Sequence, residues 1–191
     1  MTSGVQTSLA DSTTKLLLQP FTGNDVLMVN NSDLPSGTLT LTTPAKYSAL
    51  SFFAATGSGS ETLNYTLNFA DTSSVSGTFF APDWFYNSPV AVSSSPTGSG
   101  DARATAGGGL AGPDAQNYPA IYQLDIGSIP SSSALTSIDL SFNSGGTNTA
   151  VFGVSGVSAV PEPATVTMLG IAVAGLAGYG VRRRKQAASA A

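Results

Sequence analysis

Six aspartates are the residues of this 191-residue chain with the widest chemical reach: Asp71, Asp83, Asp101, Asp114, Asp125 and Asp139. Two carboxylates flanking a glycosidic bond can hydrolyse it, one as acid and one as base or nucleophile. No spacing among the six selects a pair, and scattered Asp is equally the chemistry of turns and solvated faces. Asp71, Asp101 and Asp114 fall in loop-like sequence and could lend oxygen ligands to a structural calcium. There is no Asp-x-Asp-x-Asp ladder to gather them. No catalytic residue, metal ligand or cofactor is therefore assigned. Trp84, Phe85 and Tyr86 form the one aromatic cluster, with Tyr118 and Tyr122 elsewhere. An exposed aromatic ring can stack on a sugar, which makes Trp84 and Tyr86 candidate glycan contacts; core packing is the competing role. Residues 106–112 are glycine-rich but lack the Gly-Lys-Ser/Thr of a phosphate loop. Asn30-Asn31-Ser32 and Asn64-Tyr65-Thr66 fit a glycosylation acceptor, a pattern that recurs by chance.

What is missing narrows the chemistry further. The chain has no histidine and no cysteine. That excludes a Ser-His-Asp triad, an imidazole base and His-ligated zinc or haem. It equally excludes disulfides, thiolate nucleophiles and iron–sulfur clusters. The expected protein is not an enzyme. Charged residues make up only 9% of the chain, whereas Ser (27) and Thr (21) supply about a quarter of it. Residues 1–160 carry Lys15, Lys46 and Arg103 against ten Asp and Glu, a net of −7. Such a body repels phosphate backbones, so nucleic acid is not an expected partner.

Four of the seven cations are consecutive: Arg182, Arg183, Arg184 and Lys185. They close a span, residues 164–181, that has no charge. As a helix it would be about 27 Å long, close to the ~30 Å hydrocarbon core of a bilayer. Pro161 and Pro163 end whatever precedes them and suit a helix's first turn. The basic cluster stays cytoplasmic by the positive-inside rule, which places residues 1–160 beyond the inner membrane. Gly170, Ala174 and Gly178 repeat every four residues, a face that lets another helix approach. A buried core helix and a plain tail anchor are the alternatives; neither explains Pro-Glu-Pro.

Val160-Pro161-Glu162-Pro163, the apolar span and the Arg-rich end together resemble the PEP-CTERM sorting domain of Gram-negative bacteria. The resemblance implies export, inner-membrane insertion with the body in the periplasm, and recognition by an exosortase. It also implies delivery to the cell surface or to an exopolysaccharide or biofilm matrix. By the same match Val160 to Pro163 are the sorting motif and Arg182 to Lys185 the membrane stop, while the nucleophile belongs to the exosortase. Such proteins begin with a signal peptide. Met1 to Asp11 has neither a basic nor an apolar region of that kind, so a start site further upstream is expected.

The elements that must position these residues are strands. Leu63, Tyr65, Leu67 and Phe69 alternate with polar neighbours, as do Ile138, Leu140 and Phe142, and Leu39 and Leu41. Further strands are expected at 15–19, 26–30, 48–54, 75–80, 121–126 and 149–157. Asp71 to Ser74 suits a turn that folds 62–69 onto 75–80 as a hairpin. The fold expected is mainly β: an antiparallel sandwich or jelly roll over residues 1–158, followed by a single transmembrane helix. Residues 93–118 read as a long flexible loop, 159–186 as the sorting segment, and 187–191 as a disordered tail. The stretch from Pro44 through Pro82-Asp83-Trp84-Phe85 to Leu135-Ile138 is similar to jelly-roll, carbohydrate-module-like domains of secreted bacterial proteins. That likeness supports the fold and leaves a carbohydrate-binding role as the alternative to a structural or adhesive one.

Overall fold

Strict alternation along a strand makes a sheet with one apolar face, and such a face is stable only against a second one. The computed structural model has this arrangement. It describes residues 4–20, 22–85, 90–93, 103–104, 110–111, 120–130, 133–146 and 148–159. Among the described residues thirteen strands run in order β1 (Gly4–Thr7), β2 (Lys15–Leu18), β3 (Leu27–Asn30), β4 (Ser36–Ala45), β5 (Tyr47–Gly57), β6 (Glu61–Phe69) and β7 (Ser74–Ala81). They continue as β8 (Val90–Ser93), β9 (Arg103–Ala104), β10 (Leu110–Ala111), β11 (Ala120–Ile126), β12 (Leu135–Gly145) and β13 (Asn148–Ser158). Among the described residues no helix is long and apolar enough to cross a membrane.

Two sheets form the sandwich, one ordered β3-β13-β5-β11-β8 and the other β4-β12-β6-β7, with antiparallel pairing throughout. The expected strands are all present, and the 62–69/75–80 hairpin pairs from Glu61–Ala81 to Asn68–Ser74. Strands β1 and β8 and the small β9–β10 ladder were not anticipated. The β9–β10 ladder lies inside residues 93–118, whose other positions beyond Ser93 fall outside the described residues.

The chain switches sheets at almost every step: β3 to β4, β4 to β5, β5 to β6, β11 to β12 and β12 to β13 all cross from one to the other. Neither sheet can therefore be completed from one stretch of sequence. What holds them together is a shared apolar layer. Val29, Leu50, Phe52, Ala54, Ile126 and Val151 on the five-stranded side meet Leu63, Leu67, Phe79, Leu135, Ile138 and Leu140 on the other. The Phe52 and Phe79 rings stack across the gap at 4.6 Å and 12°, with Tyr65 6.0 Å from Phe52.

The β1–β2 hairpin forms a partial third layer. Leu16 and Leu18 cover Phe53, Ala91 and Ile121, which point away from the main core. Leu17 between them is 56% exposed, so a run of three leucines hides an alternating strand.

Phe52 is fully buried and contacts both sheets, so its truncation leaves a cavity that neither sheet alone can close. Phe52→Ala is expected to lower unfolding stability by about 3–5 kcal/mol, measured by urea denaturation.

Candidate functional site

A group of polar contacts gathers at one end of the sandwich, where two chain reversals meet. The β5–β6 corner runs through Ser58 and Gly59, both at positive φ (67° and 103°), to Ser60. The β12–β13 corner runs through Gly145, at φ 112°, and Gly146. Gly146 donates its N–H to the Ser60 carbonyl at 2.8 Å. A Cβ on Gly145 would come within 2.5 Å of that same oxygen, and one on Gly146 would collide with the Gly59 carbonyl. The two backbones approach this closely only because both positions are glycine.

Asp83 and Trp84 pin the corner from the side. The Asp83 carboxylate accepts from the Gly59 N–H (2.8 Å) and the Phe85 N–H (3.1 Å), while its own N–H donates to Ser60 Oγ. Thr56 Oγ1 donates to the Gly59 carbonyl at 2.7 Å. The Trp84 backbone bridges two strands, donating to Thr56 and accepting from Ala120. Its indole is half-buried, packed on Ala55, Ala120 and Tyr122, with Phe85 tilted beside it at 5.9 Å. Trp84 thus sits at the core rim with part of its surface open. Tyr86, Tyr118 and residues 106–109 lie outside the described residues.

The carboxylates named from sequence are dispersed. Asp71 accepts from the N–H and Oγ of Ser73 and so closes the β6–β7 turn. Those bonds hold its carboxyl below the ordinary range. Asp125 accepts from Ser51 Oγ (2.6 Å) and Gln123 Nε2 on the outer face of the five-stranded sheet. Asp139 accepts from Thr38 Oγ1 (2.6 Å) and Asn68 Nδ2 (2.7 Å) on the outer face of the four-stranded sheet, and is likewise lowered by them. Asp125 and Asp139 point away from one another across two layers about 10 Å apart, so they cannot flank one bond. Asp101 and Asp114 lie outside the described residues. Among the described residues no three acidic, His or Cys side chains group as metal ligands do.

A feature that the sequence reading left unassigned is the wet face around Asp139. Register places Thr40, Ser137, Asn68 and Ser74 in one row across four strands. Thr38, Asp139, Thr66 and Ser76 form the next row, and Ser36, Ser141, Asn64 and Thr78 the third. Cross-strand bonds knit the rows, including Thr66–Ser76 at 2.9 Å and Asn68–Ser137 at 3.1 Å. Every side chain in this patch is a hydroxyl, an amide or the single carboxylate. The signal was in the sequence as the polar half of each alternation, but only the register makes it a surface.

Val160 to Pro163, the 164–181 span and Arg182 to Lys185 lie outside the described residues, immediately beyond the end of β13. Asp83→Ala removes the acceptor of two backbone N–H groups at the glycine corner. It is expected to cost about 1–2 kcal/mol, with Gly59 losing amide-exchange protection, while Asp83→Asn keeps part of both.

Residues 159–185 match the PEP-CTERM protein-sorting motif. That signal implies an exported protein processed by an exosortase. No curated protein matches the chain.

Proposed function

We propose that the β-sandwich is the cargo of this sorting signal. In this reading it serves, once exported, as a non-enzymatic structural or adhesive component of the cell surface or exopolysaccharide matrix. Residues 164–181 hold the precursor in the inner membrane of a Gram-negative bacterium, Arg182 to Lys185 stop its transfer, and an exosortase reads Pro161, Glu162 and Pro163. The observation that carries the reading is the 159–185 match placed directly after β13, the last strand of the folded body.

The chemistry of the body supports a passive role. Asp71, Asp83, Asp125 and Asp139 accept hydrogen bonds within turns and across strands, and the three hydroxyl-rich rows around Asp139 form a patch without a cation. Such a patch suits hydrated, neutral polymers better than anionic ones, because donors and acceptors alternate over it with one negative charge among them.

The second reading is a carbohydrate-binding module that uses the aromatic rim. It is favoured by the partly exposed Trp84 with Phe85 beside it. Its distinguishing result is glycan-array binding that Trp84→Ala abolishes while the unfolding midpoint shows the body still folded. Silence across polysaccharides favours the structural role.

The sorting reading is tested separately. Replacing Pro161, Glu162 and Pro163 by alanine is expected to leave most of the protein unprocessed in the inner-membrane fraction on immunoblots. Normal processing and release of that variant would overturn it.

A further inference from the structure

Continuing the inward phase of β6 back from Phe69, Leu67, Tyr65 and Leu63 arrives at Glu61. Its side chain obeys that phase: Glu61 is 0% exposed. Neither carboxyl oxygen has a hydrogen-bond partner, and the equally buried Thr149 Oγ1 has none. Three unpartnered buried oxygens thus occur on two residues of opposing sheets. Thr149 is paired in register with Thr56, the residue that ties down the glycine corner. Glu61 itself follows Ser60, so the acid lies directly beneath that corner.

An ionised carboxylate cannot be held in such a place without a cation or several donors. Among the described side chains no cation stands beside it. Of the neighbouring strands, β7, β13 and β3 carry no titratable side chain, β5 carries Tyr47 at its far end, and β12 carries Asp139 on the outward face. Tyr65 shares the strand, and Tyr122 is on β11. Asp83, just after β7, is a second acid with its oxygens on backbone N–H groups. Lys15 and Lys46 are exposed. A divalent ion would need six or more oxygens, and one carboxylate with threonine hydroxyls falls short.

We propose that Glu61 is carried inside the sandwich as a neutral carboxylic acid and acts as a proton-linked latch on the glycine corner, so that the folded body loosens as the pH rises. Burial pushes its pKa up from the ordinary 4.5; the Thr149 hydroxyl is near enough to offset part of this, though not in hydrogen-bonding geometry with the acid. Below 4.5 both folded and unfolded chains hold the proton. Above it the unfolded chain releases the proton while the folded body keeps it, and the folded fraction falls until Glu61 ionises in place. Asp11, Asp71 and Asp139 act the other way, because their lowered values make stability fall in stronger acid. The two effects separate, because with no histidine or cysteine in the chain no other side chain ordinarily titrates between about pH 5 and 7.

The test is urea unfolding of the full chain in detergent micelles, followed by the fluorescence of the single tryptophan, between pH 5 and 7.5. The folded-to-unfolded ratio of the wild type is expected to fall by up to about tenfold per pH unit over part of this range. Glu61→Gln is expected to flatten the profile and to be the more stable protein at pH 7.5. A flat wild-type profile, or an unchanged slope in Glu61→Gln, would overturn the proposal. So would stabilisation by added calcium chloride that depends on Glu61, since a cation would then hold the carboxylate ionised. Should Glu61→Gln fail to fold, carboxyl carbon-13 NMR of glutamate-labelled wild type decides the matter. The chain has only two glutamates, Glu61 and Glu162. One resonance should titrate at higher pH than the other, and two resonances titrating near 4.5 would refute the latch.

Discussion

The stacking of Phe52 on Phe79 is the contact on which the rest of the body depends. These rings join two sheets that the chain builds in alternation, crossing between them at most turns. Neither sheet is local in sequence, so neither has a stable face before the other exists. The glycine corner, the Asp83 bracket, the Trp84 rim and the polar rows of the outer face are all consequences of that joint closing. Pairings such as β13 with β5 and β12 with β4 span long stretches of chain, which predicts slow, cooperative folding.

Much of the strand pattern was legible because alternation reports directly which face is buried. Leu63, Leu67 and Phe69, and Ile138 with Leu140, are inside as their spacing requires. The β1–β2 hairpin was only half legible. Leu16-Leu17-Leu18 looks like a continuous apolar run, and Gly4 to Thr7 has too little apolar character to announce a strand; its partner defines it. Sheet order and register were not readable, since they depend on contacts between distant segments. The three polar rows around Asp139 were hidden for that reason.

The candidate site shows the same division. The sorting motif is legible because it is a contiguous pattern read by another protein, and it needs no fold to be recognised. The six aspartates were not separable by sequence, because a turn-capping carboxylate such as Asp71 and a strand-bridging one such as Asp139 have the same letter and similar neighbours. Glu61 was overlooked although its signal was present. It stands in phase with Leu63 and Phe69, two residues ahead of the alternation, where its charge discouraged placing it inside.

The sorting motif at residues 159–185 is what assigns this chain to export. Delivery is therefore the claim to test first. Intact-mass spectrometry of the protein from the surface fraction of cells with and without the exosortase reads it directly. With the exosortase, the recovered protein should lack Arg182 to Lys185; without it, the chain should stay in the inner membrane and retain them. Surface protein that still carries Arg182 to Lys185 in both strains would contradict the assignment.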